Sequence, residues 1–162
     1  MSSYLLLLFI LAFFLHNAEE AIWLVRKSAQ PSKIKRQPQP TQDQFLFAVL
    51  FVTALAVLIT AFYLFYPDQW FLKYAYFGYV GAMILNVFLV HLPSTILERR
   101  YSPGLMTGLL VLVPVNGLLI TRVFQIKLLS LADLIGATGI MAALLLLAIP
   151  MMFRLAGKLI HY

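Results

Sequence analysis

Long apolar stretches separated by short polar breaks run through this chain. Five of them are long enough to cross a hydrocarbon core about 30 Å thick, which takes roughly 20 helical residues. They cover residues 3–25, 45–66, 71–92, 105–123 and 131–153. The stretches are continuously apolar and Leu-rich rather than alternating, which excludes barrel strands. The pattern predicts an all-α fold: a polytopic membrane helical bundle of five transmembrane helices in a single membrane domain, residues 1–162. Short connections between the last four helices predict an antiparallel, up-and-down arrangement. Residues 27–43 differ, being basic, carrying Pro31, Pro38 and Pro40, and lacking apolar periodicity. They read as an extended linker. The first stretch reads as a retained helix rather than a cleaved signal peptide, because no Lys or Arg precedes it and apolar residues resume at Ala21–Val25.

Composition sharpens the class. Hydrophobic residues make up 62% of the chain and charged residues 11%, with a mean hydropathy of +0.91, which excludes a soluble domain of this size. Cysteine is absent, so disulfides and thiolate metal sites are excluded and any metal must take His and carboxylate ligands.

Charge sets the expected orientation. Arg26, Lys27, Lys33, Lys35, Arg36, Arg99, Arg100, Arg154 and Lys158 fall at one end of the predicted helices, nine against three for Lys73, Arg122 and Lys127 at the other. The richer side is expected to be cytoplasmic, with the N-terminus outside, the C-terminus and the 27–43 linker cytoplasmic, and the plasma (inner) membrane as location. These charges face anionic lipid, so membrane lipids rather than nucleic acid are the expected partners. Self-association is left open.

The first helix carries an expensive feature. His16, Glu19 and Glu20 interrupt its apolar stretch, and an ionised side chain mid-membrane opposes insertion by about 2.5–3.5 kcal/mol. Such groups are tolerated when they face the bundle interior and share protons or bind a cation. His16 lies three residues before Glu19 and four before Glu20, spacings that place all three side chains on neighbouring parts of one helix face.

Depth brings in a second set. Counting back from the charged helix ends at 1.5 Å per residue, Glu20 lies about 9 Å deep, His91 about 12 Å and His16 about 15 Å. Asn86 and Asn116 are expected deeper, level with each other. A polar pocket between helices 1, 3 and 4 follows. Pro93 and Pro114 interrupt those helices and free a backbone carbonyl each, which Ser94 or Thr95 can satisfy near Pro93. At the entrance, Ser102 is the expected N-cap and Pro103 the first residue of helix 4. That N-terminus, beside Arg99, Arg100 and Tyr101, is suited to an anion such as a lipid phosphate.

The segment HNAEE, His16 to Glu20, resembles the signature of the HXXEE family of small integral membrane proteins. Asn86, His91, Ser94, Arg100, Tyr101, Pro103, Gly104, Thr107 and Pro114 are similar to that family's second polar block. The resemblance implies a membrane protein whose motif residues belong to one site.

Three function classes fit. In the first, an enzyme acting on a lipid-like substrate, His16, Glu19, Glu20 and His91 are the catalytic candidates. They either ligate a divalent metal ion, Zn or Fe, or act as general acid and base without metal. Asn86, Asn116, Arg100, Tyr101 and Thr107 are the substrate-binding candidates. In the second class the same groups relay protons or cations in transport. In the third they lock helices in a non-catalytic partner subunit.

Overall fold

The computed structural model describes residues 3–28 and 40–160. It contains five helices long and apolar enough to cross a membrane, consistent with a multi-pass membrane protein. They are α1 (Ser3–Ser28), α2 (Gln42–Phe65), α3 (Trp70–Glu98), α4 (Leu105–Gln125) and α5 (Leu131–Leu159). Most of the expected basic linker, residues 29–39, lies outside the described residues. Its described edges are helical, because α1 continues to Ser28 and α2 begins at Gln42. Thr41 explains the early start of α2. Its hydroxyl accepts the Gln44 N–H at 3.3 Å while Gln44 Oε1 accepts the Thr41 N–H at 2.9 Å, so two helix-start donors are satisfied reciprocally. Ser130 and Asp133 form the same box at the start of α5. Asp133 therefore has a structural role and also accepts the Tyr74 hydroxyl at 3.1 Å.

Both proline-bearing helices pass through a turn of π winding. In α3 the turn is Val87–His91, closed by the Leu92 N–H on the Val87 carbonyl. In α4 it is Gly108–Leu112, closed by the Val113 N–H on the Gly108 carbonyl. Each turn ends two residues before a proline, Pro93 or Pro114. A proline ring collides with the carbonyl four residues back and offers no N–H. Widening the preceding turn shifts that carbonyl aside, so the helix continues. This is why α3 runs on to Glu98 rather than ending near residue 92, as the apolar pattern predicts. The Thr95 hydroxyl engages the His91 carbonyl at 3.0 Å, and α3 finally stops at Arg99, whose φ of 52° is left-handed.

α3 is the hub. Tyr76, Phe77, Tyr79 and Val80 are fully buried, and the helix packs on α2, α4 and, most extensively, α5. Buried phenols need acceptors. Tyr76 donates to the Leu6 carbonyl of α1 and Tyr79 to the Val52 carbonyl of α2, both at 2.8 Å. Tyr63 and Tyr76, which from sequence alone fit an interfacial aromatic belt, are thus core residues, while Tyr66, Trp70 and Phe71 are exposed. The α3–α5 contact is close because a Cβ on Gly78 would lie 2.5 Å from the Ala137 carbonyl oxygen. Gly136 and Gly139 face open space instead. Beside them a groove of about 530 Å³, lined by Trp70, Tyr74, Ile140 and Leu144, opens at the end of α3 remote from His91.

Candidate functional site

The site is built where α1, the π turn of α3 and the turn into α4 meet. His16 and Glu20 are one helical turn apart on α1, with His16 Nε2 3.9 Å from Glu20 Oε1. His91, the last residue of the π turn, brings its Nε2 to 3.0 Å from the same oxygen. The two imidazoles stand edge to face with centroids 5.0 Å apart. One ligand atom from each of His16, Glu20 and His91 lies within 4.8 Å of the others, a grouping that could hold a metal ion. His16 is fully buried and His91 is 5% exposed, whereas the Glu20 side chain keeps 18% of its surface accessible. Glu20 is therefore the member of the trio open to an incoming molecule.

Asn86 joins this group directly. Its Nδ2 lies 3.0 Å from His91 Nε2 and 3.5 Å from His16 Nε2. Residues five apart on an α-helix point about 140° away from each other, so ordinary winding would separate Asn86 from His91. The π turn closes i to i+5 and stacks them on one face.

Gly104 forms the roof. With φ at 90° it occupies backbone space that other residues rarely enter. A Cβ there would sit 2.8 Å from His91 Cε1, 2.9 Å from His16 Cε1 and 3.0 Å from Glu20 Cγ. Glycine is thus required twice, by the backbone angle and by the side chains beneath it.

Glu19 points to different partners. Its Oε1 accepts the Gly104 N–H at 2.9 Å and the Tyr101 hydroxyl. Its Oε2 accepts the Thr107 N–H at 2.8 Å and the Thr107 hydroxyl at 2.6 Å. The carboxylate thus sits on the N-terminus of α4, where unpaired N–H groups and the helix dipole favour negative charge. Sequence reasoning predicted an anion at this N-terminus. The anion found there is supplied by the chain itself, and the helix starts at Leu105 behind Gly104 rather than at Ser102–Pro103. Tyr101 also accepts the Met106 N–H at 3.1 Å. Burial, followed by its bond to Glu19, pushes its phenol up to about 12.

The family comparison bears on these same residues. Residues 7–119 match the family model described as "Protein of unknown function with HXXEE motif". This chain belongs to the HXXEE family. The signature is His16-Asn17-Ala18-Glu19-Glu20, so the matched region holds the trio, its roof and the Glu19 anchor. The chain is also 39% identical over 155 residues to the uncharacterized protein YrkK of Bacillus subtilis, covering 96% of this chain and 97% of that protein. No solved structure matches.

In this HXXEE protein the remaining predicted site residues are dispersed. Thr107 and Tyr101 reach the site through Glu19. Arg100 lies exposed on the turn. Asn116 is fully buried and donates to the Val80 carbonyl at 2.9 Å, tying α4 to α3. Its level with Asn86 does not make it a partner of Asn86. The motif's second position also has a use, since Asn17 donates to Thr53 of α2 at 2.7 Å. Gly108 was not singled out by sequence, yet a Cβ there would meet Val87 Cγ2 at 2.8 Å, so glycine lets the two π turns approach. The two mid-helix prolines are the signal from which both turns could have been found.

Proposed function

We propose that this HXXEE protein is a membrane-embedded metalloenzyme acting on a lipid-like substrate, with His16, Glu20 and His91 as its divalent-metal ligands. The observation that carries this reading is the convergence of one ring nitrogen from each of two imidazoles and one carboxylate oxygen within 4.8 Å, while the adjacent Glu19 is engaged elsewhere. Two histidines and one carboxylate with open positions suit Zn in hydrolysis or Fe(II) in oxidation. A cation held there would supply a Lewis acid to an oxygen of the substrate's polar group. The protein's part is to hold the ligands rigidly and exclude water. His16 and His91 are fixed by burial, Gly104 closes one side, and Glu20 faces the accessible side. The Arg-rich end is read as cytoplasmic, which sets the site in the inner leaflet of the plasma membrane with the N-terminus outside.

A metal-free acid–base enzyme is the second reading. It is favoured by the 3.0 Å His91–Glu20 contact, which suits a shared proton.

Metal analysis of the protein purified in lipid nanodiscs tests the proposal. Stoichiometric Zn or Fe is expected in the wild type and little in His16→Ala or Glu20→Gln. Incubation with a membrane-lipid extract, read by mass spectrometry, should give a product that a chelator abolishes. A metal-free protein whose thermal stability ignores added divalent ions, or a product formed equally with chelator, would overturn it.

A further inference from the structure

The environment of His91 Nε2 contains a conflict that no placement of protons on the rings resolves while Glu20 is a carboxylate. This atom is 3.0 Å from Glu20 Oε1 and 3.0 Å from the Asn86 amide nitrogen. If Nε2 carries a hydrogen, it serves the carboxylate and faces the amide N–H group hydrogen to hydrogen. If Nε2 carries a lone pair, it accepts from the amide and faces the carboxylate lone pair to lone pair. His16 Nε2 also lies within 3.5 Å of the same amide nitrogen. Among the described residues, Nδ1 of neither histidine has a hydrogen-bond partner. The Gly104 backbone lies beside His16 without completing one. Nε2 is therefore the nitrogen through which each ring meets its polar neighbours, and both aim at the end of the Asn86 side chain.

An amide can exchange its nitrogen and oxygen ends by half a turn about its last side-chain bond, with almost no change in shape. That turn converts the donor facing the two imidazoles into a carbonyl oxygen. Two imidazole lone pairs, a carboxylate oxygen and an amide oxygen then face one point, which is the arrangement a divalent cation needs.

We infer that Asn86 is the fourth protein ligand of the metal site, through Oδ1, making a two-His, one-Glu, one-Asn set drawn from α1 and α3. The inference rests on the metal reading above. It deepens that reading by giving the π turn a role, since only that winding sets Asn86 on the face of His91. A neutral amide oxygen adds a hard donor without a second negative charge in the bilayer. With Glu19 committed to α4, the site holds one formal negative charge beneath the divalent ion. The set then favours a harder borderline ion, Zn or Fe(II), over a soft Cu(I).

Cobalt(II) chloride is the probe, titrated into chelator-treated protein in nanodiscs and read by visible absorption, which reports both affinity and coordination number. Asn86→Ala is expected to bind cobalt at least about tenfold more weakly and with a changed band envelope. Asn86→Asp, which keeps the shape and supplies a charged oxygen, is expected to bind as tightly as the wild type or more tightly. If Asn86 only donated a hydrogen bond to a ring nitrogen, that bond would be absent once the metal takes the lone pair, and Asn86→Ala would match the wild type in affinity and spectrum. That result overturns the inference while leaving the metal site standing, provided His16→Ala loses cobalt. A wild type that binds no cobalt overturns both. If Asn86→Ala does not fold, Asn86→Asp decides, and a loss as large as that of Glu20→Gln counts against Asn86 as a ligand.

Discussion

Glu19→Gln separates the two neighbouring carboxylates of the signature. Glutamine keeps the shape of glutamate but has one acceptor oxygen where glutamate has two. Each Glu19 oxygen serves one backbone N–H and one hydroxyl: Gly104 and Tyr101 on one side, Thr107 twice on the other. The glutamine carbonyl can serve one of these pairs, and the other pair meets an NH2 group. The hydroxyl in that pair can rotate to accept, but the backbone N–H cannot. Leaving one buried donor unsatisfied costs about 1–3 kcal/mol, and each bond that loses its charge assistance weakens by roughly half from about 1.5–3 kcal/mol. Easier burial of the neutral amide offsets part of this. The net expectation is a loss of about 2–4 kcal/mol, a large share of a typical total of about 5–15 kcal/mol. Unfolding by SDS titration in mixed micelles measures it. Thr107→Val should cost less on the Glu19→Gln background than alone, with a coupling of about 0.5–3 kcal/mol. Glu20→Gln should lose metal yet change metal-free stability by under about 1 kcal/mol. The anchor assignment fails if Glu19→Gln stays within about 0.5 kcal/mol of the wild type, or if the two glutamines behave alike.

Four further outcomes can be checked. Gly104→Ala combines a φ of 90° with a methyl driven against His16, His91 and Glu20, and should lose about 2–5 kcal/mol by the same titration. Gly117→Ala, with nothing within 4 Å of the new Cβ, should stay within about 1 kcal/mol of the wild type on either side. Tyr101 has a phenol raised from 10.0 to about 12 in the folded chain, so the unfolded chain ionises first as pH rises. Its contribution is complete below about pH 10 and is lost towards about pH 12. Melting curves of Tyr101→Phe should therefore lack a drop that the wild type shows across that window. The cysteine-free sequence suits single-cysteine labelling with an impermeant maleimide. Cysteine at Asp68 should react on intact cells and cysteine at Arg100 only after permeabilisation, and the reverse pattern would invert the proposed orientation.

The number and order of the helices were legible because runs of about 20 apolar residues leave few alternatives. Their ends were less so. Hydropathy stops at Phe153, but helix α5 continues through Arg154 and Lys158 to Leu159, since charge ends an apolar run without ending backbone hydrogen bonding. The association of His16 with Glu20 followed from spacing alone, and their meeting with His91 from depth. What spacing could not tell is that Glu19 and Glu20 face different partners. Adjacent residues point about 100° apart on a helix, and what lies in each direction is decided by where α4 begins. The pairing of Asn86 with His91 was not legible, because uniform α winding would point residues five apart about 140° from each other, and Pro93 does not allow this segment to wind uniformly.

The wide turn in α3 also makes the site sensitive to how the helix is wound. A π turn is an α-helix carrying one surplus residue. Rewinding the segment as ordinary α-helix with all its residues kept, which Pro93→Ala would permit by removing the colliding ring, would swing everything beyond it by about 100°. His91 would then leave the face it shares with Asn86, with no polar side chain altered. Chemistry at this position depends on the winding of a single turn of backbone as much as on the identities of the groups it presents.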